Sequence, residues 1–237
     1  MVTQIDLGGL VVDVVKKDIK NIHLSVHPPI GKVKIAAPLR MDTDTIRVFA
    51  ITKLDWIKKQ QKKMREQSRE SPREYLDRES HYLWGRRYLL KVVELDRKPC
   101  VTVQGKRITL AVRPGSDVAI RAAIMHEWHK ALLHEAIPPL IAKWQPKLKV
   151  QVAGYFLQRM KTKWGSCNHH AGNIRLNTEL VKKPKELLEY VIVHEMAHLR
   201  EPTHNDRFTT LLARHIPAWR DARNYLNDLP LSAEDWK

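Results

Sequence analysis

Cysteine is nearly absent from this chain. Two residues in 237, Cys100 and Cys167, cannot build a disulfide framework. The fold must therefore rest on an apolar core, and a reducing compartment is the expected setting. Long apolar runs are missing too, and none approaches the ~20 residues of a membrane span. The opening stretch MVTQIDLGGLVVDVVKKDIK contains a short apolar run. Asp6 and Asp13 interrupt it and no basic residue precedes it, so it does not read as a signal peptide. These absences predict a cytoplasmic protein that does not engage a membrane. There is no visible internal repeat, no low-complexity tract and no Gly-rich phosphate loop. Acidic residues are scarce relative to basic ones. Against 42 Lys and Arg there are only 26 Asp and Glu, a formal net charge of +16. Such an excess favours polyanions or acidic proteins as partners, and it serves solubility equally well.

What is present suits a soluble globular protein. Hydrophobic residues make up 43% and charged residues 29% of a chain long enough for one large domain or two small ones. The front is β-rich. Residues 10–15, 22–26 and 32–37 are short β-branched or alternating runs, with turn signals at Pro28-Pro29 and Gly31. Residues 43–70 then predict one long helix, capped by Thr43 or Asp44 and ended by Pro72. Four more strand-like runs follow (HYLWG, RYLLKVVEL, CVTVQ and RITLAV), with a hairpin connection at 104–107. After Pro114-Gly115 the pattern turns helical, with a long helix over 117–144 bent near Pro138-Pro139. A strand within 150–160 and an alternating strand at 173–177 come next. A helix over 184–201 stops at Pro202, and a shorter one begins near Asp206. The division falls near residue 115: a β-rich part with one basic helix over 1–115, and a helix-dominated part with a small sheet over 116–237.

The chemistry concentrates in YVIVHEMAHLREPTHNDRF, residues 190–208. On a helix, residues four apart share a face, so His194 and His198 can both reach one ion. A catalytic zinc site takes three protein ligands and leaves one position for water. His204 supplies the third: Pro202 must end the helix, and a histidine on the reversing chain can turn back toward the ion where one on a continuing helix would not. Asn205 is placed to cap the following helix. Glu195, beside a ligand but partly around the helix, can take the proton of zinc-bound water without occupying the metal. The competing reading is a helix whose histidines are simply half-buried and hydrogen-bonded. His126 and His129 are three apart rather than four, and His134 has no downstream partner. These read as exposed or half-buried helix residues. His169 and His170 read as solvated loop residues, and Cys167 as structural, since no base accompanies it.

These residues resemble the YgjP-like metallopeptidase family, relatives of the SprT and WLM zincins. The resemblance is carried by Trp164-Gly165-Ser166-Cys167, by a strand ending at Asn177, and by His194, Glu195 and His198 with His204 six residues on. The segments LDWIKKQ and YLWGRRYLL look family-like as well. The resemblance implies an α+β fold: a zincin-like metallopeptidase domain of helices packed on a small sheet, preceded by the β-rich part with its basic helix. It also implies three histidine ligands for one Zn2+ per chain and Glu195 as base. The spacing of the third histidine equals that of metzincins, but Glu201 stands where those have glycine.

The expected activity is zinc-dependent hydrolysis of a peptide or protein substrate. Lys161, Lys163 and Arg175 are candidate oxyanion stabilisers. The strand at 173–177 is a candidate cleft wall on which an extended substrate adds as a further strand. One alternative keeps the metal and attacks a phosphoanhydride, as a nucleotide pyrophosphohydrolase would. Another is a basic, nucleic-acid-associated protein with an accessory metal site, contacting polyanions through the basic helix 53–69.

Overall fold

The computed structural model describes residues 2–27, 31–66, 73–160 and 163–229. It divides into two compact units, Met1–Glu70 and Ser71–Ser232. Residue 115, where the sequence changes character, lies inside the second unit. It marks the joint between a sheet and the helix that follows it.

In the first unit, β1 (Val2–Asp6), β2 (Val11–Lys17), β3 (His23–His27) and β4 (Lys32–Pro38) form a sheet of order β1-β2-β4-β3. The central β2–β4 pair is parallel and the outer pairs are antiparallel. Alternation along β4 turns Val33, Ile35 and Ala37 inward, where they join Ile5, Val12, Val14 and Val26 in one core. Buried Asp13 on β2 accepts from Gln4 Nε2 at 2.9 Å and pairs with Lys32 Nζ at 2.8 Å. The region expected to be one helix is two, α1 (Thr43–Thr52) and α2 (Leu54–Glu66). The cap is Asp42, whose carboxylate accepts from Thr45 N at 2.7 Å, rather than Thr43 or Asp44. The ladder breaks at Lys53, just after Thr52 turns its hydroxyl back onto the Phe49 carbonyl at 2.8 Å. Ile46, Ala50 and Ile57 face the core, while Lys53, Lys58, Lys59 and Lys62 are exposed. The side chains of Lys63 and Arg65, and the whole of Arg69, lie outside the described residues.

The second unit opens with β5 (Ser80–Leu83), β6 (Arg86–Glu94), β7 (Cys100–Gln104) and β8 (Arg107–Val112), in the order β5-β6-β8-β7. Its pairing senses are again antiparallel, parallel, antiparallel. Both sheets are thus wired identically, and each leads into a helix capped by an aspartate, Asp42 or Asp117. The recurrence lies in strand order and pairing sense alone; the corresponding strands differ in sequence and in burial pattern, as β2 and β6 do. α3 (Val118–Leu148) runs through Pro138, Pro139 and Pro146 and stops four residues beyond the expected end. Lys149 then adopts a left-handed conformation, φ 55°, and donates to the Gln145 carbonyl.

A three-stranded sheet follows, built from β9 (Gly154–Gln158), β10 (Gly165–Asn168) and β11 (Asn173–Asn177) in the order β10-β11-β9. A 3-10 turn, Thr178–Lys182, leads into α4 (Lys185–Ala197). α5 (Asp206–His215) and α6 (Trp219–Asp228) complete the unit. The tip of the β5–β6 hairpin is fastened to this region. Trp84 N donates to the Val181 carbonyl at 2.8 Å and Gly85 N to that of Lys182 at 3.2 Å. Gly85 has φ +77°, and a Cβ there would stand 2.7 Å from Pro184 Cγ, so glycine is required twice over. Among the described residues, no helix is long and apolar enough to cross a membrane.

The 3-10 turn buries a charge. Glu179 is 8% exposed, pairs with Lys182 Nζ at 2.7 Å and lies 3.9 Å from Arg159 Nε. Burial alone would push its carboxyl up. Lys182, Arg159 and Lys183 outweigh that and hold it below the ordinary 4.5. A carboxylate whose pKa is lowered by folding contributes stability that is complete above its unfolded pKa and lost as pH falls through the folded one. Glu179→Gln should therefore cost about 3 kcal/mol at neutral pH, the scale for breaking a buried pair. The gap from the parent should close below pH 4.5, as read by urea denaturation across that range.

Candidate metal centre

Helix α4 is apolar almost all round, with Leu187, Leu188, Val191, Ile192, Val193 and Met196 buried, so it sits in the core rather than on a surface. Tyr190, His194 and Glu195 of this helix and its cap His198 line one cavity of about 540 Å³, while its other polar side chains, Lys185, Glu186 and Glu189, lie outside that lining. The helix ends earlier than the sequence suggested. Ala197 is its last residue and His198 its cap, and Leu199, Arg200 and Glu201 N–H groups close short turns onto Met196 and Ala197 carbonyls before Pro202. The chain then reverses, as expected, and brings His204 back.

One ring nitrogen from each of His194, His198 and His204 falls within 4.8 Å of the other two. His194 Nε2 and His204 Nε2 are 3.0 Å apart. Two nitrogens bound tetrahedrally at 2.0–2.1 Å to one ion stand about 3.3 Å apart, so the spacing suits a shared ion. The ring of His198 is oriented by Glu201, whose backbone carbonyl accepts from Nδ1 at 3.0 Å, which leaves Nε2 unprotonated with its lone pair free. Tyr190 OH lies 3.5 Å from His194 Nδ1. Burial depresses all three histidines. His194 falls to about 3, helped by its two neighbours and by Arg223. His198 and His204 are lowered in the same direction, the first despite the Glu201 bond. Three neutral imidazoles are the donor set a borderline divalent ion requires.

Phe208 is the floor of the cluster. Buried near the start of α5, it stacks on His198 at 4.5 Å and meets His194 and His204 edge-on at 5.0 and 4.8 Å. The cap foreseen for Asn205 forms, its Oδ1 accepting from Phe208 N at 2.9 Å. The turn that returns His204 and the ring beneath it are thereby one unit.

Glu195 is 6% exposed, and its carboxylate lies on bare backbone. A Cβ on Gly165 would stand 2.6 Å from Glu195 Oε1 and 2.7 Å from its Cγ. The glycine of Trp164-Gly165-Ser166-Cys167 is thus explained by close approach of the glutamate. Burial pushes the Glu195 carboxyl up to about 8, against an opposing pull from the Lys163 ammonium. Asn177 holds that segment in place: its Nδ2 donates to the carbonyls of Met160 and Lys163, and its N–H to that of Trp164.

The family model for the YgjP-like metallopeptidase domain matches residues 20–229. The chain belongs to the YgjP-like metallopeptidase family. It is a peptidase-class hydrolase, and membership of the family implies a metal. No curated protein matches the chain. Among solved structures, this YgjP-like metallopeptidase is similar to the metallopeptidase zymogen of Pyrococcus abyssi abylysin, at 19% identity and TM-score 0.35, covering 37% of this chain and 89% of that one. A second is the zymogen of Methanocaldococcus jannaschii jannalysin, at 21% identity and TM-score 0.33, with 37% and 90% covered.

Other expectations fare differently. In the YgjP-like chain β11 is the central strand, paired on both sides, so it has no free edge for a substrate. The wall of the cavity is β10, through Gly165, Ser166 and Cys167. Of the cationic candidates, Lys163 lines the cavity, Arg175 is exposed and outside its lining, and Lys161 lies outside the described residues. His129 is buried rather than exposed or half-buried, and its Nε2 has no hydrogen-bond partner among the described residues. It faces inward because α3 buries the stripe Met125, His129 and Leu133. His169 is exposed at the cavity rim. Burial pushes the Cys167 thiol up to about 11, the wrong direction for a nucleophile. Phe208, Tyr190 and Arg223 were not singled out from the sequence. Tyr190 alone left a signal, four residues before His194 on the same face.

Gly165→Ala should displace Glu195 while sparing the histidines. Peptide hydrolysis is expected to fall about 100-fold, the cost of an ångström-scale misplacement, with bound metal unchanged by elemental analysis.

Proposed function

We propose that the chain is a zinc-dependent peptidase of zincin-like architecture. In this reading His194, His198 and His204 hold one Zn2+, and Glu195 is the general base. The observation that carries it is the convergence of three neutral imidazole nitrogens beside a buried carboxylate at the wall of one cavity. A closed structural zinc site would take a fourth protein ligand. Among the described residues the cluster offers three, as a catalytic site does. When bound, zinc supplies Lewis acidity toward a carbonyl and acidifies water.

The chain's own residues do the rest. Glu195 accepts the proton of the attacking water and returns it to the leaving amine. Its position on Gly165 fixes the carboxylate without tying it to a competing donor. Lys163, the cation whose charge acts on Glu195, steadies the carboxylate and is the candidate for the developing oxyanion. β10 pairs only with β11 among the described strands, so its outer edge is available to an extended peptide that adds as a further strand. The setting is reducing and cytoplasmic. Nucleic-acid binding through α2 gains nothing from the comparisons, and we do not propose it.

Zinc-loaded protein should contain about one ion per chain, as a three-histidine site implies, and His194→Ala should lose it. Glu195→Gln should keep the metal and lose about 100- to 10,000-fold in peptide turnover, the range for a general base. Metal analysis and a peptide library assayed with and without chelator, beside a nucleotide panel, read these outcomes. Turnover surviving in Glu195→Gln would remove the glutamate from the mechanism, and hydrolysis confined to nucleotides would replace the peptidase reading.

A further inference from the structure

The cavity has a second cation that the hydrolytic reading leaves without a task. Helix α6 buries Trp219 and Leu226. Arg223, four residues after the first and three before the second, is exposed rather than buried between them. It lines the cavity instead, together with Asn227 of the next turn. Among the described residues no carboxylate pairs with it, although Asp221 and Asp228 share its helix.

Its position in the cavity lining, with His194, His198 and His204, is the observation that matters. The Arg223 charge acts on Tyr190, His194 and His204, while Lys163 acts on Glu195. Two cations therefore flank the histidine cluster from different elements, Lys163 beside the glutamate and Arg223 beside His204. A guanidinium facing a site built for a divalent cation is repelled by it. An anion seated beside the guanidinium offsets that repulsion, and the planar fork matches a carboxylate through two parallel hydrogen bonds.

We propose that Arg223 is a specificity-determining residue that binds a carboxylate of the peptide substrate, on the α6 side of the histidine cluster. The proposal rests on the peptidase reading of the same site and names its substrate class: peptides carrying a carboxylate near the scissile bond. That carboxylate is either an acidic side chain or the free C-terminus. Arg223 holds and orients it, and the scissile carbonyl lies between Arg223 and Glu195.

The test uses the full zinc-loaded chain and four peptides of one sequence. One is neutral with a C-terminal amide, one has glutamate scanned along it with the amide kept, one has a free C-terminal carboxylate, and one has lysine scanned in place of glutamate. We expect one of the two carboxylate peptides to exceed the neutral one by about tenfold in kcat/KM, the size of one charge-assisted hydrogen bond. Whichever wins identifies the source of the carboxylate. Arg223→Gln should erase that preference mainly through KM. It should leave the neutral peptide within about twofold, since a peptide without a carboxylate has nothing for the guanidinium to hold, and leave zinc content unchanged. Arg223→Lys should restore part of the preference, because charge survives but the fork does not.

Binding of the same peptides to zinc-loaded Glu195→Gln, with and without Arg223→Gln, is read by fluorescence anisotropy and does not depend on turnover. An equal fall in kcat for all four peptides in Arg223→Gln would assign Arg223 to the reacting carbonyl and overturn the proposal. So would a wild-type chain indifferent to carboxylates in both readouts. Arg223-dependent binding of a carboxylate peptide that is never cleaved would instead keep the anion site and sink the peptidase reading.

Discussion

Three imidazoles can converge on one ion only if none of them carries a proton on the converging nitrogen. In this chain desolvation provides that condition. From Tyr190 onward helix α4 is buried nearly all round, so Tyr190, His194 and Glu195 open into a cavity, and Phe208 closes the cluster from below. Burial is the leading cause of the lowered pKa at each of the three rings, and mutual repulsion among the rings adds to it at His194 and His198. The same burial acts with opposite sign on the neighbouring carboxyl, which is raised. One environment thus leaves the imidazole lone pairs free and makes the neighbouring carboxylate a stronger base.

The histidine cluster was legible in the sequence because its signal is local. Four-residue spacing on a helix, a chain reversal around Pro202 and an asparagine able to start the next helix are all short-range constraints; the spacing, the reversal and the cap appear in the structure, although the helix itself stops at Ala197, ahead of the proline. The strands at 100–104, 107–112 and 173–177 were equally clear, since alternation and flanking turns define them. What escaped notice depends on contacts made across the fold. Phe208 matters only because α5 folds back beneath α4. Arg223 matters only because α6, whose start carried no capping residue, presents it to the cavity. β10 is four residues long and contains glycine, so nothing in its composition announces a strand. The break at Lys53 escaped as well, because the helical period runs through it.

Glycine is informative here through what surrounds it. Gly165 is not needed for an unusual backbone angle. It is needed because the glutamate comes closer to the strand than any Cβ would allow. The pairing of a bare strand position with a carboxylate two elements away is a tertiary fact written into a local motif. It accounts for the glycine of Trp164-Gly165-Ser166-Cys167 without appeal to the other members of the family.

The hairpin tip at Trp84 and Gly85 reaches well outside the histidine region, yet it is clasped to the turn that launches α4. The piece of chain that can sustain the histidines by itself is therefore larger than the piece that contains them. Trimming back to residue 116 would keep every imidazole. It would also unclasp the Val181 and Lys182 carbonyls and bare the flank of Pro184, leaving the histidine-bearing helix unmoored at its start.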